Sequence, residues 1–325
     1  MRILINDHNA SYHWHYHAKD KSPEVSYLKT LREIINRFKV DKVINLQDGG
    51  YAYRTSIYPD YKTQRQERRE KQSEADQKAY INFRKNAYKF AKDILPLFGM
   101  TTLRVQNAEA DDLGAFLVKH IDKSQHQILL LSSDKDWHQN LQRNVVQASY
   151  TDIQNALKSH STIPGSVWLS ESGFEKKYGL RVSQWIWVKA LQGDAGDNVK
   201  GVAPGLGEGA ATKLMQTYGS IQGIKDHIDN LEIPRMTAKA KEGLKENWET
   251  LYLNYQVMNL RHTADEELDI LGQDGIEYLK DTIENLPFLG SMDETAIQEL
   301  CYENGWLGLA EEYFLEPYKK LLTNR

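Results

Sequence analysis

The chain has 325 residues, 40% hydrophobic and 26% charged, which is the composition of an ordinary globular protein and not of a disordered or fibrous one. A net charge of −4, from 41 basic against 45 acidic residues, argues against binding nucleic acid through overall charge, while leaving room for local patches of either sign. No apolar stretch approaches the ~18 residues of a membrane span, "MRILINDHN" turns polar too soon for a secretion signal, and a single cysteine, Cys301, excludes an intrachain disulfide or a cysteine-rich zinc site. These features point to a soluble protein of a reducing cytoplasm.

Three short apolar runs read as buried parallel strands: "RILIN" (2–6), "DKVINLQ" (41–47) and "HQILLLSS" (126–133). Between the first two, "PEVSYLKTLREIINRFK" carries Val25, Leu28, Leu31, Ile34, Ile35 and Phe38 at helical spacing. Between the second and third, "YINFRKNAYKFAKDILPLFG" and "AEADDLGAFLVKHI" also read as helices. This alternation predicts an α/β fold, a central mostly parallel sheet flanked by helices. Residues 62–79 hold no aliphatic side chain larger than alanine and many charges, the pattern of a solvated helix or excursion. Beyond about residue 165 the strand signals thin out. "SQWIWVKALQG" and "GAATKLMQTYGSIQGIKDHI" read as helices around a glycine-rich segment, and a helical tail follows.

Each predicted strand is followed by aspartate. Asp7 ends the first, Asp48 follows the second in "INLQDGG", and Asp134 and Asp136 follow the third in "LLLSSDKDW". Ligands of open α/β sheets bind beyond the carboxyl ends of the strands, so these four are expected on one rim. "NAEADDLGAF" adds Glu109, Asp111 and Asp112 at a helix start, and "LQGDAGDN" adds Asp194 and Asp197. Any one aspartate after a strand is ordinary turn chemistry. Several strand ends in agreement are not, because converging carboxylates repel unless cations lie between them. Oxygen ligands without histidine or cysteine favour Mg²⁺ or Mn²⁺ over zinc. Two such ions ~4 Å apart suit phosphodiester hydrolysis.

"DGGYAYRTSIYPDYKTQR" follows Asp48 with Arg54, Tyr61, Lys62 and Arg65, cations to hold a phosphate and a ring able to stack on a base. The pattern Asp–x5–Arg–x6–Tyr–Lys–x2–Arg resembles the 5′ nucleases: flap endonucleases, bacteriophage 5′–3′ exonucleases and the 5′-nuclease domain of bacterial DNA polymerase I. Matching segments over residues 1–262 are "INDHNASYHWHYHA", "LQDGGYAYRTSIYPDYKTQR", "AEADDLGA", "SSDKDW" and "LQGDAGDNVKGVAPGLG".

The resemblance implies a PIN-like 5′ nuclease core over residues 1–185, with a helical arch over about 62–90 through which a single strand passes. A helix–three-turn–helix duplex-binding region over 186–262 and a helical region over 263–325 follow. It implies Asp7, Asp48, Glu109 and Asp111 at a first metal ion, and Asp112, Asp134, Asp136, Asp194 and Asp197 at a second. Lys62 is then the residue on the scissile phosphate, with Arg65 beside it and Tyr61 stacking on an unpaired base. In "GVAPGLGEGAATKL", Gly201, Gly205, Gly207 and Gly209 would let backbone groups approach a duplex phosphate and a K⁺ ion. The implied partners are DNA with a 5′ flap, nick or free 5′ end, an RNA–DNA hybrid and a single-stranded-DNA-binding protein. The implied setting is a monomer in the cytoplasm, that of a host cell for a phage enzyme.

Departures from the family pattern are His8 where glycine is usual, Trp14 where arginine is expected, and Gly209 or Ala210 where lysine is common, with one extra residue in the turn. The competing reading is a non-catalytic structure-specific DNA-binding protein on the same fold. Such a protein is expected to have lost several carboxylates, and all nine are here. A different Mg²⁺-dependent phosphotransferase would need a Walker-type phosphate loop, which the chain lacks. Packing helices are favoured over a docking surface for residues 263–325, given their ordinary amphipathic pattern.

Overall fold

The computed structural model describes residues 1–18, 22–159, 167–234 and 236–323. Its centre is a five-stranded sheet, every neighbouring pair parallel, made of β1 (Arg2–Asp7), β2 (Lys42–Leu46), β3 (Thr101–Leu103), β4 (Gln127–Leu131) and β5 (Val145–Ala148) in the order β3-β2-β1-β4-β5. The chain steps outward from β1 to β2 and β3, then crosses to β4 on the other side. The reversal falls beside β1, which is where open α/β sheets place their ligands.

The helices are α1 (His8–His17), α2 (Pro23–Phe38), α3 (Ala52–Ile57), α4 (Thr63–Glu70), α5 (Glu74–Lys89), α6 (Ala110–His120), α7 (Tyr150–Lys158), α8 (Glu171–Tyr178), α9 (Trp185–Gln192), α10 (Glu208–Tyr218), α11 (Ile221–Asp226), α12 (Ala238–Glu246), α13 (Trp248–Met258), α14 (Ala264–Glu284), α15 (Glu294–Glu303) and α16 (Glu312–Thr323).

Alternation along β1 sends Leu4 to one face of the sheet and Ile3 and Ile5 to the other. Leu4 joins Tyr27, Leu31 and Phe38 of α2 with Phe90. Ile3 and Ile5 join Ile44, Leu130 and the apolar face of α6 through Leu113 and Phe116. A separate core of Trp185, Leu191, Leu206, Leu214 and Leu251 holds α9, α10 and α13 together. Ile270 and Leu279 of α14 pack on one face of the sheet, and Ile297, Leu315 and Tyr318 of α15 and α16 pack on the other.

The charged stretch forms α4 and α5. No residue of α4 is buried, and Ala87 alone is buried in α5, so the pair has a solvated surface almost throughout. His8, which replaces the expected glycine, fastens the base of this pair. Its Nε2 donates to the Ala87 carbonyl at 3.0 Å, which leaves Nδ1 to accept from the Tyr27 hydroxyl at 2.9 Å. Burial pushes this imidazole down to about 4, so it is neutral at pH 7.

Candidate active site

Asp7 closes β1 and caps α1, its Oδ1 accepting from the Ala10 N–H at 3.1 Å while Ser132 Oγ donates to Oδ2 at 3.1 Å. Asp48 lies two residues beyond β2 on a loop that only glycine permits. A Cβ on Gly49 would sit 1.7 Å from the Val105 carbonyl oxygen, and the Gly49 N–H donates to the Ala108 carbonyl at 2.7 Å. That close approach lets Asp48 accept from the Ala110 N–H at the start of α6 (3.0 Å) and from Asn9 of α1 (2.5 Å). Asp134 follows β4 and accepts from the Asp136 N–H at 2.8 Å. The strand-end aspartates thus lie along one rim, near enough to feel one another's charge.

Their environment disfavours charge. Burial, then the field of Asp48, raise the Asp7 carboxyl to about 7. Burial and Asp134 do the same to Asp136, against the pull of Lys189. The Lys189 ammonium lies 3.0 Å from Asp136 Oδ1, near enough for an ion pair. At that distance the ammonium also donates to this buried oxygen, and the two groups favour each other's charged form. Asp194 caps its own turn, accepting from the Gly196 N–H at 2.8 Å, 3.5 Å from the same lysine.

Beside this rim lies a group that neutralises itself. Arg54 is 4% exposed and spends all five donors on the protein. Nε donates to the Val257 carbonyl (3.0 Å), Nη1 to Glu109 (2.9 Å) and Asp112 (2.7 Å), and Nη2 to Asp111 (3.2 Å) and Asp112 (2.9 Å). Arg54 therefore has no donor left for a phosphate, contrary to expectation. Asp112 is similarly committed: it also accepts from the Glu109 N–H at 3.0 Å and faces His262 Nε2 at 3.1 Å. Burial alone would raise its carboxyl, but Arg54 and His262 outweigh burial and hold it below the ordinary carboxylate range.

Tyr61 also departs from expectation. Its ring is 5% exposed and its hydroxyl lies 3.0 Å from Glu109 Oε2 and 3.1 Å from Asp197 Oδ2, so no ring face is open to a base. Lys62 pairs with Glu109 and stands 3.7 Å from Asp197, and Arg65 pairs with Asp197. Burial would lower the Lys62 ammonium, but Glu109 and Asp197 outweigh it and keep the residue charged. Lys62 also adopts φ +59°, a left-handed conformation uncommon for a side chain other than glycine or asparagine and frequent at functional sites.

Asp111, Asp136, Asp194 and Asp197 line one small cleft with Arg54 and Tyr61. The donors there are oxygens, as a hard divalent ion requires. Among the described residues, no three carboxylate, histidine or cysteine side chains already surround a common point as a closed cage, since protein cations occupy part of the set. The fit therefore rests on the donor chemistry and on the crowding of carboxylates at the strand ends, where burial and neighbouring aspartates raise Asp7 and Asp136.

A second concavity opens beside Asp48, between α1, α4 and α5. It is lined by Arg65, Arg69, Arg84, Lys85 and Arg104 and by the rings of Tyr80, Phe83 and Tyr88. Apart from Arg65, these residues escaped the sequence reading, as did Lys189 and His262. Lys189 is the sole charge in the helix "WIWVKALQ", immediately before "GDAGDN", and that placement is the signal that could have found it.

The four glycines of the turn divide. A Cβ on Gly201 would meet the Gln192 carbonyl oxygen at 2.4 Å, so this position serves chain packing. Around Gly205, Gly207 and Gly209 a Cβ meets nothing within 4 Å, and they form an open surface at the start of α10. Glu208 turns away to Lys135 at 2.7 Å.

Comparison with known proteins agrees with this geometry. The N-terminal resolvase-like domain of 5′–3′ exonucleases matches residues 3–179, and their C-terminal SAM fold matches residues 180–274. The flap endonuclease of Escherichia phage T5 is 25% identical over 287 residues, covering 87% of this chain and 91% of that protein. The thermostable DNA polymerase I of Thermus thermophilus is 29% identical over 210 residues, 64% of this chain, and the match spans only 23% of the polymerase. Among solved structures, the T5 5′-exonuclease with bound divalent metal ions (zinc) superposes with a TM-score of 0.70 at 23% identity, over 88% of this chain and 99% of that one. A complex of the T5 flap endonuclease with DNA and metal ions gives 0.69 at 23% identity, over 88% and 98%. With two domain models matched end to end over a sheet whose strand ends carry the acidic rim, the chain belongs to the 5′–3′ exonuclease family of nucleases.

Proposed function

We propose that the chain is a divalent-metal-dependent, structure-specific 5′ nuclease that hydrolyses phosphodiester bonds of DNA bearing a flap, a nick or a free 5′ end. The observation that carries this reading is the adjacency of a cleft carrying four carboxylates, Asp111, Asp136, Asp194 and Asp197, to a concavity lined by five cationic side chains and three aromatic rings. The concavity supplies what a single strand needs, charge for the backbone and rings for the bases.

The mutual fields of the carboxylates suggest how two ions would divide them. Asp7 feels Asp48 and Asp134, and Asp136 feels Asp134 and Asp194, so Asp134 lies between the two groups. Asp7, Asp48, Glu109 and Asp111 would hold one ion, and Asp134, Asp136, Asp194 and Asp197 the other, with Asp112 acting as the brace of Arg54. Mg²⁺ or Mn²⁺ bound there would supply the charge that activates water and stabilises the leaving oxygen. Lys62 stays protonated and meets the developing charge of the phosphate. Arg65, half exposed, orients the same group. The open glycines and the N-terminal end of α10 hold the duplex part of the substrate through backbone N–H groups.

End-labelled nicked, flapped and RNA-primed duplexes, each with Mg²⁺, Mn²⁺ or EDTA and with or without K⁺, test the reading. Cleavage with Mg²⁺ and none with EDTA is expected. Cleavage in EDTA, or binding without cleavage in both metals, overturns it. The RNA-primed arm decides whether primers are substrates, and the K⁺ arm decides whether the turn uses that ion.

A further inference from the structure

Away from the acidic cleft, α1 carries ligating groups that no step above uses. Its sequence "HNASYHWHYH" spaces His13 and His17 four residues apart, on one helical face. Both side chains are exposed, and their rings lie 4.2 Å apart between centroids at an angle of 50°. Neither ring hydrogen-bonds to a group among the described residues. The other two histidines of the helix are buried and engaged, His8 with Tyr27 and Ala87, His15 with Tyr150.

The exposed pair is held in place. Phe83 of α5 meets the His13 ring edge-on at 5.7 Å and lies 6.4 Å from that of His17, while Tyr16 packs 4.8 Å from the same phenyl. His13 also lines the rim of the basic concavity. Partial burial, then the neighbouring His17, keep the His13 imidazole below its ordinary value, so a nitrogen lone pair is available at neutral pH. Two histidines at i and i+4 form the arrangement by which a helix chelates a transition ion. Imidazole suits copper, nickel and zinc, whereas Mg²⁺ prefers the carboxylate oxygens of the cleft.

We propose that His13 and His17 form a two-histidine site for a divalent transition ion, Cu²⁺, Ni²⁺ or Zn²⁺, on the outer face of α1 and separate from the carboxylate centre. The ion keeps its remaining positions open to solvent and adds positive charge at the rim of the concavity. The site is independent of the nuclease reading and stands or falls on metal binding alone.

The test uses the untagged full chain with saturating Mg²⁺, titrated with Cu²⁺ and followed by calorimetry and electron paramagnetic resonance. One equivalent with nitrogen hyperfine structure from two imidazoles is expected. His13→Ala and His17→Ala each remove a direct ligand, so affinity should fall by about tenfold or more, at least the loss typical of an outer-shell partner. Both positions are exposed, and circular dichroism verifies that the variants fold. The rival is the pair formed by the Met1 amine and His126 Nδ1, 3.4 Å apart. His126→Ala should leave the two-imidazole signal intact. Affinity unchanged in His13→Ala and His17→Ala, an oxygen-only spectrum, or loss of the signal in His126→Ala overturns the proposal.

Discussion

The two halves of the acidic cluster are treated differently by the fold. Around Arg54, three carboxylates meet a guanidinium whose five donors are all taken, and Asp112 is held below its ordinary range. Along the strand ends, Asp7, Asp48, Asp134 and Asp136 have backbone N–H groups, Asn9, Ser132 and one lysine, and both Asp7 and Asp136 rise to about 7. In the first half Asp112 is built into the folded chain, whereas Asp111 accepts from Arg54 alone among the described residues, and burial raises its carboxyl well above the ordinary value. The second half is left with surplus negative charge that an external cation would relieve. Proximity of carboxylates alone therefore does not separate a brace from an ion ligand; Asp112, met by Arg54, His262 and the Glu109 N–H, is the carboxylate the protein answers most fully.

That contrast can be broken most sharply at Asp48. Asp48→Asn should abolish single-turnover hydrolysis with Mg²⁺ while DNA binding is largely retained; full activity would remove the strand-end half from the chemistry. Asp194→Asn should follow the same course less severely. In the other half, Arg54→Ala should cost about 3–5 kcal/mol of stability by urea denaturation, because it strands buried carboxylates. Arg54→Lys should recover little, since an ammonium cannot reproduce the planar fork. A loss near zero would mean that the pairing is incidental.

Lys62 lies between the halves. Lys62→Ala should slow the single-turnover rate by the equivalent of about 2–4 kcal/mol, with a much smaller change in Kd. The opposite pattern would make it an ordinary phosphate contact.

Metal and pH sharpen the comparison further. Asp7 releases its proton near pH 7 in the folded chain, against an ordinary value of 3.8, so the folded state holds the extra proton between those limits. The stability this contributes is complete below about pH 4 and is lost as the pH rises through 7. Metal-free protein should thus lose melting temperature relative to Asp7→Asn over that window, and added Mg²⁺ should stabilise the wild type more at pH 8 than at pH 5. Parallel melting curves for the two proteins would contradict this. The smallest effect is expected at the turn. Gly207→Val should weaken binding of flapped duplex and leave cleavage of short single strands nearly unchanged. Equal losses on both substrates would show that the open glycines are not a duplex clamp.

The rim was legible because parallel strands are short apolar runs and the residue that follows each is visible in the sequence. β1, β2 and β4 were read from that pattern, whereas β3, three residues of "TTL", and β5, "VVQA", are too short or too mixed to stand out. The division of labour within the rim was not legible. Arg54 looks like a phosphate ligand until Val257, some 200 residues away, is seen to accept its Nε–H. Tyr61 looks like a stacking ring until Glu109 and Asp197 close over its hydroxyl. The basic concavity was missed for a related reason: Arg69, Arg84 and Lys85 are scattered through a stretch with charges of both signs, and only the pairing of α4 with α5 brings one sign to face Asp48.

Lys42, in the central sheet, donates to the carbonyls of Leu289 at 2.9 Å and Leu321 at 2.7 Å, and Tyr318 donates to the Leu28 carbonyl at 2.5 Å. The sheet face formed by β1 and β2 with α2 is therefore completed by α16. During synthesis the ribosome releases β1, β2 and α2 long before α16 exists, so the nascent chain carries an open apolar face until α16 emerges. A ribosome stalled ahead of residue 310 should hold a chain that proteases cut within residues 23–38, and one stalled far enough downstream to expose α16 should hold a chain that resists them.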